Sequence, residues 1–291
     1  MMKDYQRQQA LADFLRSRRA RLSPEEVGLP SGGRRRTPGL RREEVAQLAD
    51  VGTAWYTWLE QGRDINVSEA VLDRIADALR LTMDERLHLL MLAQRQFPTP
   101  PPLAAEAISP ILQHLLDNQE ASPAYITGRY CNILAWNQIA AAVFSDFSAL
   151  SVEERNMLWL VFTKAEYRQL FVDWERFAQD LLAMFRYFSV RYVDDSWYKQ
   201  YITALIRVSP EFEQWWQRHD VRTTFEQKRE LAHPVVGRLV LNVTTLHVNG
   251  DPDLKLCVYT ALPGSNTSNK LHQLFESRCR GVSSNGHVAK S

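Results

Sequence analysis

Thr53, Ala54, Thr57 and Trp58 recur at helical spacing in the run TAWYTWLEQ, which gives one helix face two hydroxyls, a methyl and an indole. Tyr56 and Leu59 fall on the opposite face. Small polar and flat side chains on a short helix with an apolar back suit the base edges of a DNA major groove. Arginines flank that face. Arg34, Arg35, Arg36, Arg41 and Arg42 precede it and Arg63 follows it. Such cations neutralise phosphates and set register on a duplex, and a narrow minor groove also draws arginines in. Catalytic chemistry has little to work with. His219-Asp220 and His233 are the residues that suggest it, but no nucleophile motif, HExxH, Walker or GxGxxG pattern accompanies them. The chain is expected to be no enzyme and to need neither metal nor cofactor.

The elements that must hold this face are legible around it. Glu43–Ala49 reads as a helix with Val45, Ala46 and Ala49 on one side, and Ala46 is small where two helices cross. Asp50-Val51-Gly52 supplies a turn, and Gly62 is placed to end the second helix after Gln61. The result is a helix-turn-helix, against the plainer alternative of an ordinary helical hairpin. Leu11, Leu15 and Leu22 mark a preceding helix carrying Arg16, Arg18, Arg19 and Arg21. Ser23-Pro24-Glu25-Glu26 and Thr82-x-x-Glu85 read as capping boxes, as do Ser151 and Glu154 further on, and Ser68 reads as a helix cap.

Charge becomes informative only when read locally. The chain as a whole is nearly neutral at +1. Residues 1–42 hold eleven Lys/Arg against four Asp/Glu, whereas residues 43–97 hold five against ten. A basic run is most often a solvated surface loop. The segment Gly32–Arg42, however, lies directly before the helix that would read bases, so phosphate contact is the stronger reading. Three dispersed cysteines, Cys131, Cys257 and Cys279, fit neither a disulfide framework nor a zinc site. With no signal peptide and no apolar run of membrane-spanning length, a cytoplasmic protein with no membrane contact is expected.

Residues 98–102, Pro-Thr-Pro-Pro-Pro, cannot continue a helix and favour an extended spacer. Beyond it, Ser109-Pro110 opens a helix, and Ala124–Thr127 with Tyr130–Asn137 reads as a β-hairpin. Helices follow at Ile139–Phe144, Ser151–Phe162, Trp174–Phe188, Trp197–Ile206 and Glu211–Trp216. Strands return at Arg222–Glu226, Arg238–Val248 and Leu254–Ala261. Hairpin, helical block and antiparallel meander is the element order of a PAS domain. Trp159, Phe162, Phe171, Trp174, Phe177, Leu181, Met184, Phe185 and Phe188 supply much aromatic and aliphatic surface. Such a stripe is either plain core or the lining of a cavity for a small apolar ligand.

The run GLPSGGRRRTPGLRREEVA at 28–46 resembles the MmyB-like transcriptional regulators, whose DNA-binding half is of the phage-repressor (Xre-type) class. Trp55-Tyr56-Thr57-x-Leu59-Glu60-Gln61-Gly62-Arg63 is similar to the same family. So are Trp136-Asn137, Asp173-Trp174-Glu175, His219-Asp220-Val221-Arg222 and His233-Pro234-Val235-Val236-Gly237, in family order from about Leu11 to Gly264. Two features depart from the pattern. Asp50 and Gly52 replace the class's glycine and serine, and Trp58 stands where arginine is frequent.

The resemblance implies an α+β chain of two domains, an all-α helix-turn-helix bundle and then a PAS-like antiparallel sheet with an enlarged helical section. The expected bounds are 1–97 for the DNA-binding domain, 98–107 for a proline-rich linker, 108–264 for the ligand-binding domain and 265–291 for a flexible tail, Ser/Asn-rich after a short helix at Leu271–Phe275. The resemblance also implies a homodimer on double-stranded DNA and a bound long-chain fatty acid. The acyl chain would lie against Trp159, Phe162, Trp174, Phe177, Leu181 and Phe185, and Arg186, Arg222 and His233 are the candidates for its carboxylate. The competing reading is a DNA-binding module whose second half binds a protein and no small ligand.

Overall fold

The computed structural model describes residues 2–30, 39–93, 108–193, 195–223, 227–249 and 251–285. Two compact units emerge, residues 1–100 with 182–223, and residues 101–181 with 224–291. Each is described by itself.

In the first unit the apolar positions Leu11, Phe14 and Leu15 draw α1 (Met2–Arg21) onto a helical core. The other members are α2 (Arg42–Leu48), α3 (Thr53–Glu60), α4 (Glu69–Ala78) and α5 (Met83–Ala93). Val45, Ala46, Tyr56, Leu59, Leu72, Ile75, Leu89 and Leu92 are buried within it. Both capping boxes form. Ser23 Oγ accepts from the Glu26 amide at 3.4 Å while Glu26 Oε2 accepts from the Ser23 amide at 2.6 Å. The Thr82–Glu85 pair does the same at 3.3 and 2.9 Å. Each box satisfies two amides that a helix start leaves without a partner.

A later stretch of chain completes this unit. The second half of α10 (Trp174–Phe188), then α11 (Ser196–Val208) and α12 (Pro210–Trp216), belong to it from Leu182 to Thr223. Val190 and Val221 join the same apolar core. Thr223 donates from Oγ1 to Asp84 at 2.5 Å, and Arg21 pairs with Asp220 at 2.6 Å. A domain running unbroken from 108 to 264 therefore describes the sequence but not the packing, because residues 182–223 lie with the helix-turn-helix. The unit division falls inside α10.

The second unit is built on a five-stranded antiparallel sheet in the order β2-β1-β5-β4-β3. The strands are β1 (Ala124–Thr127), β2 (Ile133–Trp136), β3 (Lys228–His233), β4 (Gly237–Val248) and β5 (Asp251–Ala261). The two halves of the chain meet where β1 pairs with β5, Ile126 opposite Leu256. This is the PAS-like arrangement. Helices α6 (Pro110–Asp117), α7 (Gln138–Val143), α8 (Met157–Thr163), α9 (Ala165–Leu170) and the first half of α10 accompany it.

Three expectations need correction. The Ser151–Glu154 box forms, with the Glu154 amide on Ser151 Oγ at 3.2 Å, but it closes only a turn. The helix starts at Met157, where the Asn156 side chain accepts from the amides of Leu158 and Trp159 at 2.9 and 3.2 Å. Of the strand expected at Arg222–Glu226, Arg222 and Thr223 are not in a strand and residues 224–226 lie outside the described residues, while a strand runs over Lys228–His233 and its alternation buries Arg229, Leu231 and His233 on one face. The short helix expected at Leu271–Phe275 in a fraying tail is longer, α13 (Thr267–Asn285). Leu271 and Leu274 bury themselves, Thr267 Oγ1 accepts from the Val240 amide at 2.9 Å, and Lys270 Nζ donates to Arg238 O at 2.7 Å. A Ser/Asn-rich composition suggested disorder; two leucines three residues apart and a threonine anchor decided otherwise. The linker 98–107 lies outside the described residues.

Candidate nucleic-acid interface and ligand pockets

Between α2 and α3 the chain turns through Asp50 in the left-handed region (φ 51°), as the turn sequence requires, and Gly52 opens α3 in extended conformation. Tyr56 and Leu59 are buried beneath α3. Thr53, Ala54 and Trp58 are exposed on its outer side, and Thr57 is half-buried, its hydroxyl donating back to Thr53 O at 2.8 Å. That bond uses the Thr57 proton, so toward a base Thr57 presents acceptor lone pairs and a methyl group. The Arg63 guanidinium lies 5.5 Å from the Trp58 ring centre, which holds a cation beside the exposed indole.

Arg41 caps α2 and is exposed, and its amide donates to Glu44 at 2.7 Å. Arg42 sits partly in water with its Nε on Glu60 at 2.7 Å. Arg34, Arg35 and Arg36 lie outside the described residues. The basic first helix divides by function. Arg18 is buried, 3.0 Å from Glu85, and Arg19 holds Glu60, so these two cations support the fold. Glu60 itself was not singled out among the site residues. It carries no exposed surface and fixes the end of the reading helix.

The nominated ligand residues fall into two groups. In the sheet unit, Phe162 and Trp174 meet edge to face at 6.1 Å, Trp174 Nε1 donates to Val161 O at 2.9 Å, and Arg168 lies 4.0 Å over the indole. Trp159 is half-buried beside them and Leu181 is buried. Phe177 stacks on Phe171 at 4.0 Å, and both line a pocket of about 210 Å³. Its other walls are Val172, Asp173, Arg176, Lys228, Arg229 and Glu230. An isolated bridge between Phe171 and Leu231, with the Val172 amide on Glu230 O at 3.1 Å, sets β3 against the start of α10. Arg229 lies 5.2 Å from the Phe177 ring and 3.7 Å from the buried Asp180. The cations of this pocket were not expected, although the two-residue period of KRELAH places Arg229 on the same face as Leu231.

His233 is held as a structural group. Its Nε2 lies 3.1 Å from Ala142 O, while Nδ1 accepts the amides of Val235 and Val236 at 3.2 and 3.4 Å. Both nitrogens are thereby used by the backbone, and burial holds the ring below the usual histidine range. Arg222 is exposed.

Phe185 and Arg186 belong to the helical unit. Phe185 stacks on Tyr198 at 5.7 Å. Arg186 is buried over the Trp216 ring at 3.8 Å, donates to Trp216 O, and lies 3.1 Å from His219 Nδ1. The nominated ligand residues are thus divided between the two units. Among the described residues no group of three His, Cys, Asp or Glu could hold a metal, and no helix is long and apolar enough to cross a membrane.

A helix-turn-helix with an exposed α3 face and, in a separate unit, a PAS-like sheet make a two-part architecture. Residues 10–89 match a family model described as a helix-turn-helix domain. Residues 108–274 match the MmyB-like transcription regulator ligand binding domain, over more than half of the chain. The chain belongs to the MmyB-like transcription regulators. It is a DNA-binding transcription regulator with a ligand-binding domain, and neither family is one of enzymes. No curated protein matches it.

Proposed function

We propose that this chain reads a pseudo-palindromic operator as a homodimer and that its ligand-binding domain senses a small apolar ligand, a long-chain fatty acid by preference. The observation that carries the DNA part is the face of α3, where Thr53, Ala54 and Trp58 stand exposed above buried Tyr56 and Leu59. Xre-type domains place such a face in the major groove, and paired half-sites follow from two-fold symmetry. Thr53, Ala54, Thr57 and Trp58 meet bases in this reading, while Arg34, Arg35, Arg36, Arg41, Arg42 and Arg63 meet phosphates or the minor groove.

The ligand part rests on the family and on the Phe171–Phe177 pocket. An acyl chain would lie on the stacked rings, and its carboxylate would meet Arg176, Lys228 or Arg229 at the rim. A guest alters DNA affinity only by binding two conformations unequally, with couplings of about 1–3 kcal/mol in ordinary cases. Lipid-stripped full-length protein is expected to gain thermal stability with palmitate and to change its operator affinity. If palmitate gives no thermal shift, the acyl reading fails. A thermal shift with unchanged operator affinity would remove the regulatory claim.

A further inference from the structure

The helical unit contains a cavity of about 330 Å³ bounded by α1, α5 and the α10–α12 segment. Its walls include Phe14 and His88 from the part matched as a helix-turn-helix, and Arg186, Tyr198, Trp216 and His219 from the part matched as a ligand-binding domain. Three buried polar atoms on residues of its wall have no hydrogen-bond partner. Arg186 is more than nine-tenths buried, and its Nε–H meets no acceptor. His88 is buried to within 3% and its Nδ1 is unbonded. Gln6 Oε1 is likewise buried and unbonded, and a half-turn of that amide offers its NH₂ instead.

The charge on Arg186 is the decisive quantity. Burial lowers its pKa to about 10, which still leaves it protonated at neutral pH. Its bonds go to a neutral carbonyl, Trp216 O, and to His219, whose pKa is itself depressed to about 3 and which is therefore uncharged. Among the described residues no carboxylate pairs with Arg186. Asp220 and Asp13 favour its charge from a distance, but each is bound to another arginine, Asp220 to Arg21 and Asp13 to Arg16. A buried cation with no carboxylate in direct contact is costly, and an arginine cannot shed its proton as a lysine can. A guanidinium edge beside ring faces matches one ligand chemistry, a flat anion carrying a flat apolar body. Tyr5 and Gln9, toward the solvent side, leave a way in, since Tyr5 is well exposed.

We propose that this cavity is a second ligand site, which takes a compact aromatic carboxylate with its anion on Arg186 and His88 and its ring among Phe14, Tyr198 and Trp216. The site lies outside the sheet unit and does not depend on the acyl reading. Because helix-turn-helix residues form one wall, occupancy stiffens the unit that reads DNA.

Calorimetry on the full-length chain with 3-phenylpropionate tests it, with 3-phenylpropionamide as the uncharged control. Saturable binding of the acid is expected, with the amide and the Arg186→Gln variant about tenfold weaker or worse, the loss of one charge-assisted contact. Val193→Trp, at the partly exposed wall, is expected to exclude the ligand while preserving helicity, and carries the test if Arg186→Gln does not fold. Absence of binding by the acid, equal binding of acid and amide, or full binding by Val193→Trp each overturns the proposal. Palmitate is run in parallel. If Arg186→Gln abolishes the palmitate response as well, there is one site and the claim of a second falls. A wild-type chain that binds phenylpropionate but not palmitate fails only the acyl reading.

Discussion

Arg19 on α1 grips Glu60 at the end of α3 with two prongs, Nε to Oε1 at 2.5 Å and Nη2 to Oε2 at 3.1 Å. Arg42 adds a third contact to the same carboxylate at 2.7 Å. The carboxylate has no exposed surface, so three helices converge on one buried charge. Burial alone would disfavour Arg19's cation, yet its pKa is raised, because Glu60 outweighs that penalty. Helix α3 is thereby tied to α1.

Glu60→Ala is expected to destabilise the helical unit by about 3–5 kcal/mol, since it leaves a half-buried guanidinium without its anion. Urea unfolding followed by far-ultraviolet dichroism measures this. A loss below about 1 kcal/mol would mean that the pair behaves as a surface bridge.

Gly39 closes the basic loop in the left-handed region (φ 80°), and a Cβ there would lie 2.5 Å from Arg19 O. Across this approach the Leu40 amide donates to Arg19 O at 3.1 Å and Arg19 Nη1 returns to Leu40 O at 2.6 Å. Gly39→Ala is expected to cost more than about 2 kcal/mol, combining left-handed strain with a backbone clash. It should also weaken DNA binding, because the loop that carries the arginines loses its anchor. Melting temperature and operator affinity measured on one preparation test both effects.

Acid should loosen the helical unit through two histidines. His219 has its pKa lowered to about 3 and His88 well below the usual range, in each case first by burial and then by the nearby arginines. Between about pH 3 and 6.5 the unfolded chain therefore binds protons at these sites that the folded chain refuses. Stability falls as pH drops through that window and is fully regained above it. His219→Asn keeps a residue tolerant of the positive φ of 53° at this position and removes the titration. Urea midpoints between pH 7.5 and 4.5 are expected to decline less steeply in this variant than in the parent.

What the sequence could convey was governed by the range of the interactions. The helix-turn-helix, its turn at Asp50 and both capping boxes depend on residues within four positions of one another, and all were legible. The strand pairing of β1 with β5 was implied by element order. Long-range commitments were hidden. Nothing local indicates that Arg18 turns inward to Glu85, or that Arg186 lines one cavity with residues of α1 and α5. The contact of His233 with Ala142 O is equally long-range, since only the fold brings that carbonyl to its ring.

The α13 helix gives a direct measure of one such hidden contact. Leu271 is fully buried although its neighbourhood reads as solvated. Leu271→Ala is expected to cost about 2–5 kcal/mol in the sheet unit, and deletion from residue 265 onward more than that. Truncated protein that melted like the full chain would show that the helix contributes nothing to the sheet.

The last test separates reading from holding at the DNA. Thr57 stands on the reading face with its proton committed to Thr53 O, so Thr57→Ala removes an acceptor and shifts base preference while leaving phosphate contacts intact. Arg35 acts, in the proposed reading, on phosphate. Arg35→Ala should weaken all sequences together and flatten the salt dependence by about one unit of log K against log salt. Selection from a random duplex pool gives the first outcome, and titration at several salt concentrations gives the second. Trp58 gives the internal control, because its ring also supports Arg63 at 5.5 Å. Trp58→Ala should therefore change both preference and salt slope. An Arg35→Ala protein with unaltered affinity and slope would remove the basic loop from the interface and leave α3 to bind with Arg41, Arg42 and Arg63 alone.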